Sequence, residues 1–237
     1  MTAARYRMEL RALFDRWAQR RGSVPTPAGG SLVIDHTAGF IRDGVVCPET
    51  WFSQPVRPLF LLKEAYGAGY WDLIADQLAR TEQIRGQMWR RVSAWTYGLL
   101  ATTAQDIAPY HSWQPIERYG NEYLRQAAVV NIRKSGGSSS SDMDVIRAYA
   151  AFDRACLMEE LALCDPTILV CGYTASALDT LFDRPVRQER NENLFYHVSL
   201  NGHDVLVLDY WHPANQYPDI MNYYGLMGIY QQALRST

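Results

Sequence analysis

Four runs of large apolar residues, each closing on polar or charged side chains, constrain this chain more than anything else in it. They are residues 58–67 (PLFLLKEAYG), 127–134 (AAVVNIRK), 167–174 (TILVCGYT) and 204–213 (DVLVLDYWHP). A strand with one solvated face alternates apolar and polar side chains. An unbroken apolar run marks a strand covered on both faces, as in the parallel sheets of α/β proteins. The pattern therefore predicts an α/β fold in which the four runs lie parallel in one central sheet. Ligands of such sheets bind just outside the carboxyl ends of the strands. Lys63, Glu64, Asn131, Lys134, Tyr173 and His212 should then converge along one edge, where chemistry is expected.

The remaining segments fit around that sheet. Residues 3–20 read as an amphipathic helix, with Tyr6, Leu10, Leu13, Phe14 and Trp17 on one face. Residues 22–30, with Pro25 and Pro27, read as a surface connection. Residues 31–35 and 40–46 read as a small hairpin or edge pairing, and 48–52 as a turn or short helix. Helices are expected over 71–80, 82–104, 116–125 and 143–163, with another opened by residues 172–176 and running through Leu181, and an irregular loop over 107–113. The pair Asn201-Gly202 between 195–200 and 205–208 is a hairpin signal that sets an antiparallel strand beside the last core strand. Residues 219–234 read as a closing helix. With 237 residues, 48% of them hydrophobic, one domain over 1–237 is expected, residues 1–57 packing on a core of 58–237.

Charge and cysteines narrow the chemistry. A formal net charge of -2 gives no global basic field. Cys47, Cys156, Cys164 and Cys171 contain no C-x-x-C pair, which favours buried thiols over a metal centre. His36, His111, His197 and His203 lack ligand spacing, so neither a metal nor a cofactor is expected. The start carries no apolar signal core, and no run approaches the roughly 18 apolar residues of a membrane span. A soluble cytoplasmic protein without a membrane partner is the expectation. Of the 23 basic residues only Lys63 and Lys134 are lysine. Where arginine serves almost everywhere, a retained lysine suggests a site that wants a compact ammonium.

Within the predicted edge, His212 is placed to donate a hydrogen bond to a leaving-group oxygen, and the Asn131 amide to read the edge of a nucleobase. Tyr66, Tyr70 and Trp71 are stacking candidates. The loop Lys134, Ser135, Gly136, Gly137, Ser138 and its following serines lies between a strand end and a helix start. There its backbone N–H groups and hydroxyls can meet a phosphate. No G-x-S-x-G, dinucleotide fingerprint, P-loop or H-E-x-x-H occurs.

Taken in order, residues 62–67 (LKEAYG), 129–134 (VVNIRK), 168–175 (ILVCGYTA) and 208–214 (LDYWHPA) resemble the motif succession of the uracil-DNA glycosylase superfamily. The resemblance implies a three-layer α/β/α sandwich around a central four-stranded parallel sheet. It places Glu64 and Gly67 in the first motif, Asn131 at the base-reading position and His212 where the departing base is stabilised. Lys63 and Tyr66 stand where the family has glycine and proline, and Ala65 where its strongest members carry a water-activating Asp. Glu64 is thus the acidic candidate. The implied activity is hydrolysis of the N-glycosidic bond of a deaminated base in DNA, by Glu64 and His212 with Lys63, Tyr66, Gly67 and Asn131 binding the base. The alternatives are a non-catalytic nucleic-acid or nucleotide-binding module on the same fold, and a glycosidic-bond enzyme for free nucleosides or nucleotides. A basic strip including Arg133 and Lys134 beside the cleft would speak for duplex DNA.

Overall fold

The computed structural model describes residues 1–25, 30–79, 86–111, 122–138, 140–186 and 194–236. The four apolar runs become β5 (Pro58–Tyr66), β7 (Ala128–Gly137), β8 (Ile168–Gly172) and β10 (His203–Tyr210). They lie side by side in the order β7-β5-β8-β10, every neighbouring pair parallel. The sheet does not stop at the expected four strands. The antiparallel strand expected beside the last one is there as β9 (Phe195–Leu200) on β10, and a short β4 (Gly44–Val45) adds antiparallel to β7, making six. The β9–β10 hairpin turns on Asn201 (φ 52°) and Gly202 (φ 77°), the left-handed pair that a two-residue turn requires.

Alternation within the apolar runs feeds two separate cores. Leu59 and Leu61 of β5, Val130 and Ile132 of β7 and Val207 of β10 face α1 (Ala3–Trp17), α4 (Met143–Phe152), α5 (Arg154–Cys164) and α6 (Ala175–Phe182). Phe60, Leu62, Val129, Val170 and Leu208 face the opposite way, toward α3 (Gln87–Ala101) and α7 (Asp219–Arg235). Helices thus cover both faces of the sheet, an arrangement consistent with an α/β/α sandwich. Among the described residues no helix is long and apolar enough to cross a membrane.

Several local expectations are corrected. Residues 31–35 do form β2 (Ser31–Asp35), but its partner is β1 (Arg21–Pro25), inside the stretch expected to be a connection. Residues 40–46 divide: β4 is an edge pairing on the main sheet as expected, whereas β3 (Ile41–Arg42) pairs in parallel with β6 (Trp71–Asp72). The helix expected over 71–80 is therefore this strand followed by a π-helical turn, Leu73–Leu78. The helix expected over 143–163 breaks at Asp153 (φ -100°, ψ 11°), whose buried carboxylate lies 2.8 Å from His36 Nε2 and 3.4 Å from Arg20 Nε. Holding that carboxylate against its partners wins over the helical period. The first residues of the helix expected over 82–104, residues 112–113 of the loop expected over 107–113 and residues 116–121 of the helix expected over 116–125 lie outside the described residues, as do 26–29 and Ser139.

Candidate functional site

A cleft of about 880 Å³ opens at the carboxyl ends of β5, β7, β8 and β10, within the size range of small-molecule sites. Of the residues expected there, Lys63, Glu64, Tyr66, Asn131, Ser138, Tyr173 and His212 line it. The strand ends bring them together because each follows directly on an apolar run buried in the sheet.

The ends of β5 and β7 are fitted to each other by glycine. A Cβ on Gly136 would stand 2.0 Å from the Gly67 carbonyl oxygen, and one on Gly137 2.6 Å from Glu64 Cγ. Gly67 itself has φ 125°, a region that favours glycine. The Gly/Ser loop consequently closes over Glu64. Glu64 Oε2 accepts from Arg133 Nη1 at 2.8 Å, and Oε1 from Ser141 Oγ at 2.7 Å and the Ser138 N–H at 3.5 Å. Two donors expected to meet a phosphate meet this internal carboxylate instead. With both oxygens held, Glu64 is a fixed acceptor at the cleft wall.

Lys134 and Ser135 do not reach the cleft. Lys134 is fully buried on the opposite side of the sheet, its Nζ 5.2 Å from the Trp17 ring centroid, contacting Asp43 and lying 2.7 Å from Glu160 Oε2. It stands three residues after Asn131, so strand alternation separates the two. Ser135 Oγ is hydrogen-bonded to Tyr149 OH at 2.5 Å, on α4. Tyr70 donates its hydroxyl to the His36 carbonyl, whereas Trp71 lines the cleft.

His212 follows β10. Its Nδ1 accepts from the Ala214 N–H at 3.2 Å, so a neutral ring carries its proton on Nε2. Burial, and next the nearby Lys63 ammonium, push His212 down to about 4. The imidazole is therefore neutral at physiological pH and a hydrogen-bond donor through Nε2. Burial likewise lowers Lys63, partly offset by Glu64. Its Nζ lies 5.5 Å from the Tyr173 ring centroid. Tyr173 adopts φ 60°, costly for an aromatic residue, with its N–H bonded to the Tyr210 and Cys171 carbonyls.

Sequence reasoning misses the parts that hold the site. Arg91 of α3 is buried and gathers the segment after His212: it donates to the carbonyls of Pro213, Asn215 and Tyr217 and to Asp219 Oδ1. Nothing distinguishes it among so many arginines. Asp43, behind Asn131, gives only a turn signal with Gly44. Trp211 and Tyr217 form a stacked pair at the rim, centroids 4.3 Å apart and planes 25° from parallel. Trp211 adjoins His212 in sequence, and that adjacency is a signal for it. Tyr66, 77% exposed, and Tyr173, 59% exposed, complete an aromatic rim around the cleft.

No family model and no curated protein matches the chain. The cleft's own chemistry is thus the guide to its ligand. It offers aromatic faces, the side-chain amides of Asn131, Asn215 and Gln77, one half-buried ammonium and a neutral imidazole donor, a set suited to a flat, polar heterocycle. Among the described residues no cluster of His, Cys, Asp or Glu has the makings of a metal site.

Proposed function

We propose that the cleft receives a single nucleobase and that the protein hydrolyses the N-glycosidic bond of a deaminated base, as the superfamily its motifs resemble does. The observation that carries this reading is His212: a neutral imidazole with its proton on Nε2, beside Lys63, in the same cleft as the Asn131 amide. An exposed or flipped base would stack on the rim while Asn131 reads its edge. As the bond from C1′ to the base nitrogen breaks, its electron pair leaves with the base. His212 Nε2–H and the Lys63 ammonium stabilise that growing negative charge. Water adds its hydroxyl to C1′ and its proton ends on the base. Glu64, held by Arg133 and Ser141, orients that water as an acceptor.

A second reading is a base- or nucleotide-binding module without hydrolysis, favoured by the engagement of both Glu64 oxygens. One experiment separates the two. Single- and double-stranded oligonucleotides carrying uracil or hypoxanthine, and free deoxyuridine, are incubated with the protein and scored for alkali-labile sites and released base. Base release is expected, slowed about 10²-fold or more by His212→Ala, the order for loss of one preorganised donor. Asn131→Asp should change which base is released. Nucleobase binding without release from any substrate establishes the module instead.

A further inference from the structure

The Asn131 amide is set by what stands behind it. Asp43 is 3% exposed, and its Oδ2 accepts from both the Asn131 backbone N–H at 2.8 Å and Asn131 Nδ2 at 3.0 Å. Its Oδ1 accepts from Lys134 Nζ, which comes from the other side of the sheet and rests over Trp17 and Phe14. Burial would lower Lys134, but Asp43 and Glu160 together hold it above the ordinary lysine value. Burial, with Asp43 adding to it against the pull of Lys134, pushes Glu160 well above the ordinary carboxyl value. Accepting from Lys134 and from both Asn131 donors, Asp43 is the acceptor of the cluster.

An oxygen that already accepts from the Asn131 backbone N–H can only accept from its side-chain amide, which leaves the amide no choice. Nδ2 must turn to Asp43, and Oδ1 is left on the side of the cleft that Asn131 lines. A side-chain amide without such a backing can flip and serve either ligand edge. This one presents an acceptor, so the matching ring brings an N–H, and a ring nitrogen lone pair at the same place would be left opposed and unpaired.

We infer that Asp43, anchored by the buried Lys134, is a positioning residue that fixes the orientation of the Asn131 amide and thereby makes the cleft select a heterocycle with a ring N–H edge. The inference rests on the nucleobase reading of the cleft. It gives Lys134 a role at a distance from the ligand, and accounts for a compact ammonium in a space lined by Trp17, Phe14 and two carboxyls.

The variant Asp43→Asn tests it. The substituted amide both donates and accepts, so the Asn131 amide regains its freedom, while Glu160 remains beside Lys134 as its partner in the interior. Binding of deoxyuridine and deoxycytidine is measured by calorimetry. The wild type should favour deoxyuridine by about tenfold or more, the scale of one buried polar group left unpaired. In the folded variant that ratio should fall to near one. A purely structural loss would weaken both nucleosides alike and leave the ratio unchanged, which overturns the inference. A measurement on the wild type covers the case of a variant that does not fold: the Asn131 side-chain amide protons, followed by NMR, should exchange far more slowly than those of an exposed asparagine. Fast exchange overturns the inference as well. If the wild type binds neither nucleoside, the nucleobase reading falls and with it the ring-edge selection, whereas slow exchange would still show the amide held by Asp43.

Discussion

The burial of His212 beside Lys63 ties its protonation to folding. In an unfolded chain a histidine takes up its proton near pH 6.5, whereas folded His212 does so only at about 4. Between those values the unfolded chain binds more protons, so this group's contribution to stability rises with pH. It is complete above about pH 6.5 and is lost as the pH falls toward 4. The shift corresponds to about 3 kcal/mol at most. Urea unfolding of the wild type and of His212→Gln at several pH values between 4 and 7 should show the wild type losing stability more steeply on acidification. Parallel curves would mean that the imidazole is not desolvated. Much of this site is legible residue by residue, because Glu64, Asn131 and His212 each close or interrupt an apolar run. Lys134 shows the limit: it shares their strand end, yet the alternation rule sends it to the opposite core. Asp43 and Arg91 are not legible at all, since each acts on residues far away in sequence.

At the scale of elements, the cleft exists because β5 and β7 end in contact. Gly136 lies against the backbone of Gly67 and Ala68, where neither neighbour is a side chain that can swing aside. Gly136→Ala should therefore cost about 3 kcal/mol, the upper end of overpacking penalties, as read from urea or thermal unfolding. Its effect should exceed that of Gly202→Ala, where an added Cβ meets nothing within 4 Å and only the positive φ is strained. Equal losses would show that the two strand ends are free to part. The parallel strands and the Asn201-Gly202 hairpin are readable beforehand because periodicity and turn chemistry are local. The break between α4 and α5 is not, since the pattern of residues 143–163 is helical throughout. The buried pairing of Asp153 with His36 comes from a distant part of the chain. The same holds for β1, a strand only by virtue of its pairing with β2.

At the scale of the whole molecule, charge bears on which nucleic acid could reach this cleft. The net charge is -2, and the basic groups at the strand ends are already engaged. Arg133 is paired with Glu64 and lies over the Tyr149 ring, Lys134 is buried with Asp43 and Glu160, and Arg91 is taken up by the segment after His212. Lys63 is the cation that lines the cleft among the described residues. Duplex recognition usually draws on many phosphate contacts, and each steepens the salt dependence of binding. The rim offers aromatic faces instead, and stacking of a base on such a face contributes about 1–3 kcal/mol with little dependence on salt. A short single-stranded oligonucleotide should therefore bind with a shallow slope of log K against log salt, about -2 or less in magnitude. Trp211→Ala should weaken that binding by about tenfold, because it removes one half of the stacked pair with Tyr217. Fluorescence anisotropy over a range of salt concentrations measures both. A slope of about -5 or steeper, unchanged by Trp211→Ala, would mean that phosphate contacts dominate and would make duplex DNA the favoured ligand.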